Sequence, residues 1–202
     1  MNYLRKIAQA EAETVGIKPI RILKFPYVRQ ATNYSCGCAS IQAVLYYYGI
    51  DIREDNLIKI FKDKSIVKSG IDPDVMKEAL EKEWHLTVDM RKMSIDEVKD
   101  CIDRDIPVIL LIQAWRGEDK ATDEVDYSKD YKDGHYVVAI GYSDRHMIFE
   151  DPSILSNRGY LLFEDLESRW HGISHGNKVE HLGLVINGKT PVYNPDSFKK
   201  IW

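Results

Sequence analysis

The stretch at residues 30–49 constrains the fold of this chain more than any other. A polar segment leads into Cys36 and Gly37. Apolar residues then recur at i, i+3, i+4 and i+7, namely Ile41, Val44, Leu45 and Tyr48. This spacing predicts a helix with one apolar face, and Gly49 is a typical stop signal. The residues before it, 21–28, are predicted to be a strand or an extended segment, and their proline favours a sheet edge. Cys36 is therefore expected at the first turn of a helix.

A cysteine in that position has the features of a nucleophile. The unpaired N–H groups and the dipole of a helix start favour an anion, and the thiolate is the reactive form of cysteine. Gly37 is predicted to leave space for a substrate beside the sulfur. Gln30 is placed to return its amide towards the sulfur and to hold an oxyanion together with the Cys36 backbone N–H. The alternative is that Cys36 and Cys38 are ordinary buried residues.

Length and charge narrow the class of protein. With 202 residues, 44% of them hydrophobic, we expect a single domain over residues 1–202, with a core at about 20–187. The net charge of −4, of mixed sign, gives no reason to expect nucleic acid or an anionic membrane as a partner. The first 30 residues lack an apolar signal core and no later run has transmembrane length, so we expect a cytoplasmic protein. The three cysteines fit reduced thiols.

Two kinds of pattern divide the chain. Helices are predicted at 3–15, 51–62, 72–84 and after a capping box at 94–97, with Cys101 in the core. Short apolar runs predict strands at 85–90, 108–112, 136–140, 147–149, 160–163 and 182–186. A helical first half and a strand-rich second half predict an α+β domain whose helices pack on an antiparallel sheet. The acidic stretch at 115–134 is either a functional loop over a cleft or a solvated insertion.

His135 and Asp151 flank a predicted β-hairpin. If the strands 135–141 and 146–150 pair, the two residues lie at the same open end. An aspartate there accepts a hydrogen bond from one imidazole nitrogen and leaves the other to face a thiol. Together with Cys36, this is the cysteine, histidine and acid arrangement of thiol hydrolases.

Four short motifs follow one another along the chain. They are Gln30, Cys36-Gly37, Gly134-His135-Tyr136-Val137-Val138 and Asp151-Pro152. Their combination and order resemble the papain-like cysteine peptidases of the bacteriocin-processing, double-glycine leader family, and are most similar to the stand-alone relatives of those peptidases.

The resemblance implies a papain-like α+β domain in which a helical lobe carries the cysteine and a sheet carries the histidine. By that likeness Gln30 is the oxyanion-hole residue, Cys36 the nucleophile, His135 the general base and acid, and Asp151 the residue that orients His135. The implied function is a cysteine peptidase or amide hydrolase that acts on a peptide or another small amide without a cofactor.

Other functions remain open on the sequence. A thiol acyltransferase uses the same covalent intermediate and differs only in the acceptor. A non-catalytic peptide-binding domain is a further alternative. A structural metal site at Cys36 and Cys38 would need a second cysteine pair, which the sequence lacks. His171, His175 and His181 are close in sequence, and two histidines at i and i+4 on a helix can hold a metal. The glycines among them indicate a loop, so ordinary surface or core histidines are expected.

Overall fold

A computed structural model describes residues 16–62, 70–115, 126–154, 157–198 and 200–201. Five α-helices are present in this part of the chain: α1 (Cys36–Tyr47), α2 (Glu54–Lys62), α3 (Pro73–Trp84), α4 (Ile95–Asp103) and α5 (Phe163–Arg169). The described strands are β1 (Arg21–Ile22), β2 (Thr87–Lys92), β3 (Val108–Gln113), β4 (Gly134–Tyr142), β5 (His146–Glu150), β6 (Gly159–Leu162), β7 (His171–Ser174), β8 (Asn177–Glu180) and β9 (Leu182–Asn187).

Seven of these strands form one antiparallel sheet. Its order is β2-β9-β3-β4-β5-β6, and β1 adds a short pairing to the far end of β4. The central strand β3 is buried along its whole length, as expected of an apolar run with neighbours on both sides. β7 and β8 form a separate two-stranded hairpin. The α+β class predicted from the sequence is confirmed.

Helix α1 occupies the centre of the molecule. Every residue of α1 except Tyr46 is buried, so protein surrounds this helix on nearly all sides. The helix is therefore more buried than the predicted single apolar face implies. The Ser40 hydroxyl donates to the Tyr136 carbonyl at 3.3 Å, which fastens α1 to β4. Successive residues of a strand face opposite sides. Tyr136 therefore points to α1, and Val137 points to the other face of the sheet.

Local signals predicted most of these elements correctly. The stop at Gly49 is confirmed, because its positive φ of 80° is a conformation that glycine adopts without strain. The capping box is confirmed, with Ser94 and Glu97 bonded reciprocally. Cys101 is buried in the core as expected. The segment predicted at 21–28 contains a two-residue strand, Arg21–Ile22, and its remaining residues have no regular secondary structure.

One predicted strand is shifted and one predicted loop was wrong. The strand predicted at 160–163 is confirmed as β6, which begins and ends one residue earlier, and helix α5, which starts at Phe163, was not predicted. The expected loop around Gly172 is a strand of the β7–β8 hairpin, where the glycine is required because a Cβ would lie 2.5 Å from a Leu111 methyl carbon.

Two expectations fall partly or wholly outside the described residues. The N-terminal helix at 3–15 lies outside them, as do residues 116–125 of the acidic stretch. The described end of that stretch contains a short 3-10 turn at Tyr127–Lys129. Within the described residues, no helix combines the length and the apolar character that a membrane span requires.

Candidate active site

Cys36 is the first residue of α1, as the sequence predicted. The helix is not capped by the Ser35 hydroxyl, which instead bonds to Thr32, and its first turn carries no acidic residue. The amides at this helix start therefore face the sulfur without a competing side-chain anion. This is the local field that stabilises a thiolate.

His135 connects Cys36 to Asp151. Its Nε2 lies 2.8 Å from Asp151 Oδ1, in a pair whose side chains are 7% and 8% exposed. The ring has two nitrogens, so Nδ1 is the atom available to the Cys36 sulfur, with which His135 makes a side-chain hydrogen bond. The β4–β5 hairpin predicted from the sequence creates this arrangement, because it brings the start of β4 beside the residue that follows β5.

The electrostatics of this group favour separated charges. Burial by itself raises the pKa of Cys36, but the hydrogen bond and the charge of His135, with two backbone hydrogen bonds, lower that pKa overall. Burial alone lowers the pKa of His135, yet its contacts with Asp151 and Cys36 raise it to about 9. The two shifts have one cause, since each charge stabilises the other in a site closed to water. The two shifts together favour a thiolate that faces an imidazolium.

The other two thiols differ from Cys36. Burial raises the pKa of Cys38 to about 12. Burial also raises the pKa of Cys101, although Arg104 offsets part of that effect. Both residues are 1% exposed and have no imidazole partner among the contacts of the described residues. They are therefore protonated core residues at neutral pH.

Gln30 is tied to the same group through Ser153. The Ser153 hydroxyl donates to Gln30 Oε1 at 3.2 Å, and the Ser153 backbone N–H donates to Asp151 Oδ1 at 2.8 Å. One N–H of the Gln30 amide bonds to the Thr32 carbonyl at 2.8 Å, and a primary amide has a second N–H. The four residues predicted from the sequence thus lie along one chain of contacts from Gln30 to Cys36.

A buried ion pair holds the segment that carries Gln30. Glu150 is 3% exposed at its side chain and pairs with Arg158. It also accepts the Val28 backbone N–H at 2.6 Å. Arg158 in turn donates to the carbonyls of Phe25 and Pro26. These contacts fix residues 25–28 against the end of β5, which sets the position of Gln30 two residues later.

The structure gives a different explanation for the glycine at position 37 from the one predicted. A Cβ at this position would lie 3.3 Å from the Tyr136 ring and 3.4 Å from the side chain of Ile71. Tyr136 is further held by its hydroxyl, which donates to the Ile71 carbonyl at 2.7 Å. The space beside Gly37 is thus filled by protein, and the glycine allows α1 to pack closely on β4.

The contacts that Trp115 and Ser153 make with Asp151 were not predicted from the sequence. The indole N–H of Trp115 donates to Asp151 Oδ2 at 3.0 Å, so both oxygens of that carboxylate are engaged. Trp115 follows β3 and is distant in sequence from Asp151, so no local pattern identifies it. Ser153 had a local signal, because an aspartate commonly accepts the backbone N–H two residues later.

The three neighbouring histidines have separate environments. His171 is buried and bonds to the Asp130 carbonyl at 2.7 Å, whereas His181 stacks on Trp170 with ring centroids 5.1 Å apart. His175 lies 2.8 Å from Asp74. In the parts of the chain that the structure describes, no group of three or more His, Cys, Asp or Glu side chains is arranged to hold a metal.

Comparison with known families decides the class. A family model described as "Peptidase_C39 like family" matches residues 22–177, which is most of the chain and includes all four candidate residues. The chain belongs to the peptidase C39-like family. This membership makes the C39-like protein an enzyme of the papain-like cysteine peptidase class and confirms the resemblance found in the sequence. Among curated proteins, none matches the chain significantly.

Solved structures show the same fold. The peptidase domain of Streptococcus ComA, a bifunctional ABC transporter of a quorum-sensing pathway, is 20% identical with a TM-score of 0.58, and the match covers 80% of this chain and 97% of that domain. A C39-like peptidase from Bacillus anthracis is 18% identical with a TM-score of 0.59, covering 84% and 98%. A double-glycine motif protease from an AMS/PCAT transporter, solved with a leader peptide, is 15% identical with a TM-score of 0.58, covering 86% and 96%. At these identities the likeness establishes the papain-like fold.

Proposed function

We propose that this C39-like peptidase cleaves an amide bond in a peptide or small amide, with Cys36 as nucleophile and His135 as general base and acid. Asp151 orients His135, and Gln30 with the Cys36 backbone N–H forms the oxyanion hole. The observation that carries the proposal is the buried contact of His135 with both Cys36 and Asp151. The opposite pKa shifts of Cys36 and His135 support it, because an activated thiol needs its proton on a neighbouring base.

Acylation begins when the Cys36 thiolate attacks the carbonyl carbon of the amide. A C–S bond forms and the carbonyl electrons move to the oxygen, which the second N–H of Gln30 and the Cys36 backbone N–H stabilise. The Nδ1–H of His135 then gives its proton to the amide nitrogen. The C–N bond breaks, the amine leaves and a thioester remains on Cys36.

Deacylation regenerates the thiolate. His135, now neutral, takes a proton from water, and the oxygen attacks the thioester carbon. The C–S bond breaks, and the products are a carboxylic acid and the Cys36 thiolate facing a protonated His135. Asp151 keeps Nε2 as a donor throughout, so Nδ1 is always the atom that exchanges the proton.

The experiment is a panel of peptides and acyl donors incubated with the parent protein and with Cys36→Ala. We expect mass spectrometry to detect an acyl adduct on Cys36 and hydrolysed products, both absent from Cys36→Ala. Cys38→Ala serves as the matched control and should retain the activity. Absence of an adduct with every donor, together with equal slow alkylation of all three cysteines, would overturn the proposal. Transfer of the acyl group to an added amine in place of hydrolysis would favour the acyltransferase.

We also propose a cytoplasmic location, because the three cysteines are free thiols. Cell fractionation with an antibody against the protein tests it, and recovery outside the cytoplasm would contradict it.

A further inference from the structure

A cavity opens beside Asp151 on one face of the sheet. Its volume is about 470 Å³. Its apolar lining, here called the apolar base, comes from strands β3 to β6 and consists of Ile112, Val137, Phe149 and Leu161. Aromatic and cationic side chains, including Trp115, Tyr127 and Arg169, also line it. A space of this size holds one or two amino-acid residues, and its lining combines apolar surface with a few polar groups, as ligand sites do.

The cavity lies on the leaving-group side of the proposed reaction. Side chains two residues apart in a strand share a face, so Val137 lies on the same face as His135. Ile112 is the cross-strand neighbour of His135. Asp151, which lines the cavity, is bonded to the side of His135 away from Cys36. The departing amine lies on the His135 side of the scissile bond, where it receives the proton, and the cavity opens farther out on that side, beside Asp151.

Arg169 carries a positive charge of the cavity that no direct salt bridge neutralises within the described residues. Its guanidinium lies over the Tyr127 ring at 4.1 Å. Its Nε is buried and has no hydrogen-bond partner within the described residues, and Asp165 attracts the guanidinium through space without forming an ion pair with it. Burial is the main cause of the lowered pKa of Arg169. A half-buried guanidinium in this state gains most from an added anion, because the cost of its desolvation is already present.

The other charged groups of the cavity are already paired. Arg158 is paired with Glu150. The two oxygens of Asp151 are bonded to His135, Ser153 and Trp115. Arg169 is therefore the charged group of the lining without a direct ionic partner among the described residues, although Asp165 attracts it through space.

We propose that this cavity is the subsite for the leaving segment of the substrate, and that it selects a carboxylate carried on an apolar body. Arg169 pairs with the carboxylate, and the apolar base holds the body. The inference rests on the proposed function for its place in the reaction. The carboxylate belongs either to an acidic side chain or to the free C-terminus of the substrate. Both present the same planar anion, which a guanidinium binds with two parallel hydrogen bonds.

Trp115 connects the subsite to the catalytic group. Its indole N–H holds Asp151, while 57% of the residue is exposed. The ring faces the cavity that it helps to line. A ligand that packs on this ring covers Trp115 and screens its hydrogen bond to Asp151 from water, which strengthens that bond. Occupation of the subsite should therefore stabilise the orientation of His135.

The first test measures binding without chemistry. Cys36→Ala protein is titrated with 3-phenylpropionate and with the neutral 3-phenylpropanamide, and binding is followed by calorimetry and by NMR. We expect the carboxylate to bind about tenfold or more tightly than the amide, in line with a charged hydrogen-bonded pair. Adding Arg169→Met should remove that difference, and adding Arg169→Lys should retain part of it. Arg145→Met, the same change at the opposite end of the β4–β5 hairpin, should leave it intact.

Several results would overturn the subsite. They are equal binding of the two probes to the Cys36→Ala protein, no saturable binding of either, or an unchanged preference in folded Arg169→Met. The comparison of the two probes needs no change at Arg169, so it decides the question even where Arg169→Met does not fold.

The second test distinguishes the two sources of the carboxylate. Peptides that the parent cleaves are remade with Glu or Gln after the scissile bond, each with a free or an amidated C-terminus. A higher kcat/KM for Glu assigns the side chain, and a higher value for the free C-terminus of a short leaving segment assigns the terminus. Cleavage with no preference in either comparison contradicts the subsite and leaves the proposed function standing. Absence of cleavage and of a Cys36 adduct is a failure of the proposed function, and the binding test then decides the cavity alone.

Discussion

Each of the candidate catalytic residues owes its chemistry to a specific neighbour. The Cys36 thiol becomes acidic because His135 is beside it, whereas Cys38, two residues later in the same helix, has a pKa of about 12. His135 is basic although buried, because Asp151 accepts from its Nε2. Residue type alone therefore does not distinguish the three thiols, and their partners do.

Gln30→Ala tests the oxyanion hole. The variant removes a donor that acts on charge formed only in the transition state, so turnover should fall about 100-fold while the fold is retained. Steady-state kinetics with a substrate from the peptide panel measures the effect. Asn187→Ala, which removes an exposed amide at the end of β9, should match the parent. Unchanged turnover in a Gln30→Ala protein of parental stability would contradict the role.

The pH dependence follows from the two shifted pKa values. The active thiolate and imidazolium pair exists above the lowered pKa of Cys36 and below the raised pKa of His135, about 9. As pH falls, the thiolate is protonated; as pH rises through about 9, His135 loses the proton that the leaving amine needs. We expect a bell-shaped profile of kcat/KM with its alkaline limb near this value. An alkaline limb near the ordinary histidine pKa of about 6.5 would contradict it.

Alkylation tests the same pair without a substrate. An ordinary thiol, with a pKa of about 8.5, is almost wholly protonated at about pH 6. Limited iodoacetamide at that pH should modify Cys36 before Cys38 and Cys101, as read by peptide mass mapping. His135→Ala should abolish the preference, because the proton acceptor is gone. Equal slow reaction of all three thiols, or reaction of Cys101 first, would indicate that Cys36 is an ordinary buried residue and not a nucleophile.

At the scale of elements, the end of β5 organises the site. Glu150 is its last residue and clamps the segment before Gln30, while Asp151 and Ser153 in the following turn bind His135 and Gln30. One strand end therefore sets the position of the oxyanion residue relative to the histidine. The geometry depends on a buried ion pair, and loss of one partner from such a pair is strongly destabilising because the other charge is left buried and unpaired.

Glu150→Gln tests whether the fold depends on this ion pair. Loss of the charge leaves Arg158 unpaired beneath the segment 25–28, and the free energy of unfolding should fall by about 3 kcal/mol or more. Urea denaturation measures the change. Glu180→Gln is the matched control, since its pair with Lys92 is more than 60% exposed on both sides and should cost less than about 1 kcal/mol. Equal losses in the two variants would show that the clamp does not support the fold.

At the scale of the whole molecule, the helical part and the sheet share one core. Helix α1 is buried on nearly all sides and is fastened to β4 by Ser40 and Tyr136. Trp170 is fully buried after α5, in the same hydrophobic cluster. Among the residues that the structure describes, the helical lobe therefore has no core separate from that of the sheet, and we expect residues 1–202 to behave as one domain.

Chemical denaturation of the full chain tests this expectation. Tryptophan fluorescence and far-UV circular dichroism should give coincident transitions with one midpoint, as a single cooperative unit requires. An earlier transition in the dichroism alone would indicate that the helical lobe unfolds independently and would contradict the single domain.

Local patterns were sufficient for most of the elements and for proposing the four candidate residues. Helix periodicity, the capping box, the stop at Gly49 and the alternating apolar runs depend on interactions within a few residues. The order of Gln30, Cys36, His135 and Asp151 was visible because each lies beside a local signal: the start of a helix, the start of a strand or the end of a hairpin. Helix α5 was missed because tertiary packing of Leu166 stabilises a segment of only seven residues.

Tertiary structure decided everything that depends on contacts between distant segments. The indole of Trp115 meets Asp151 across 36 positions, and Ser153 meets Gln30 across 123. Gly37 packs closely against Tyr136, which lies on another element. Arg169 is partly desolvated because the fold buries it beside Tyr127. Sequence spacing carries no information on such contacts, because they arise when a sheet and a helix close around a common core.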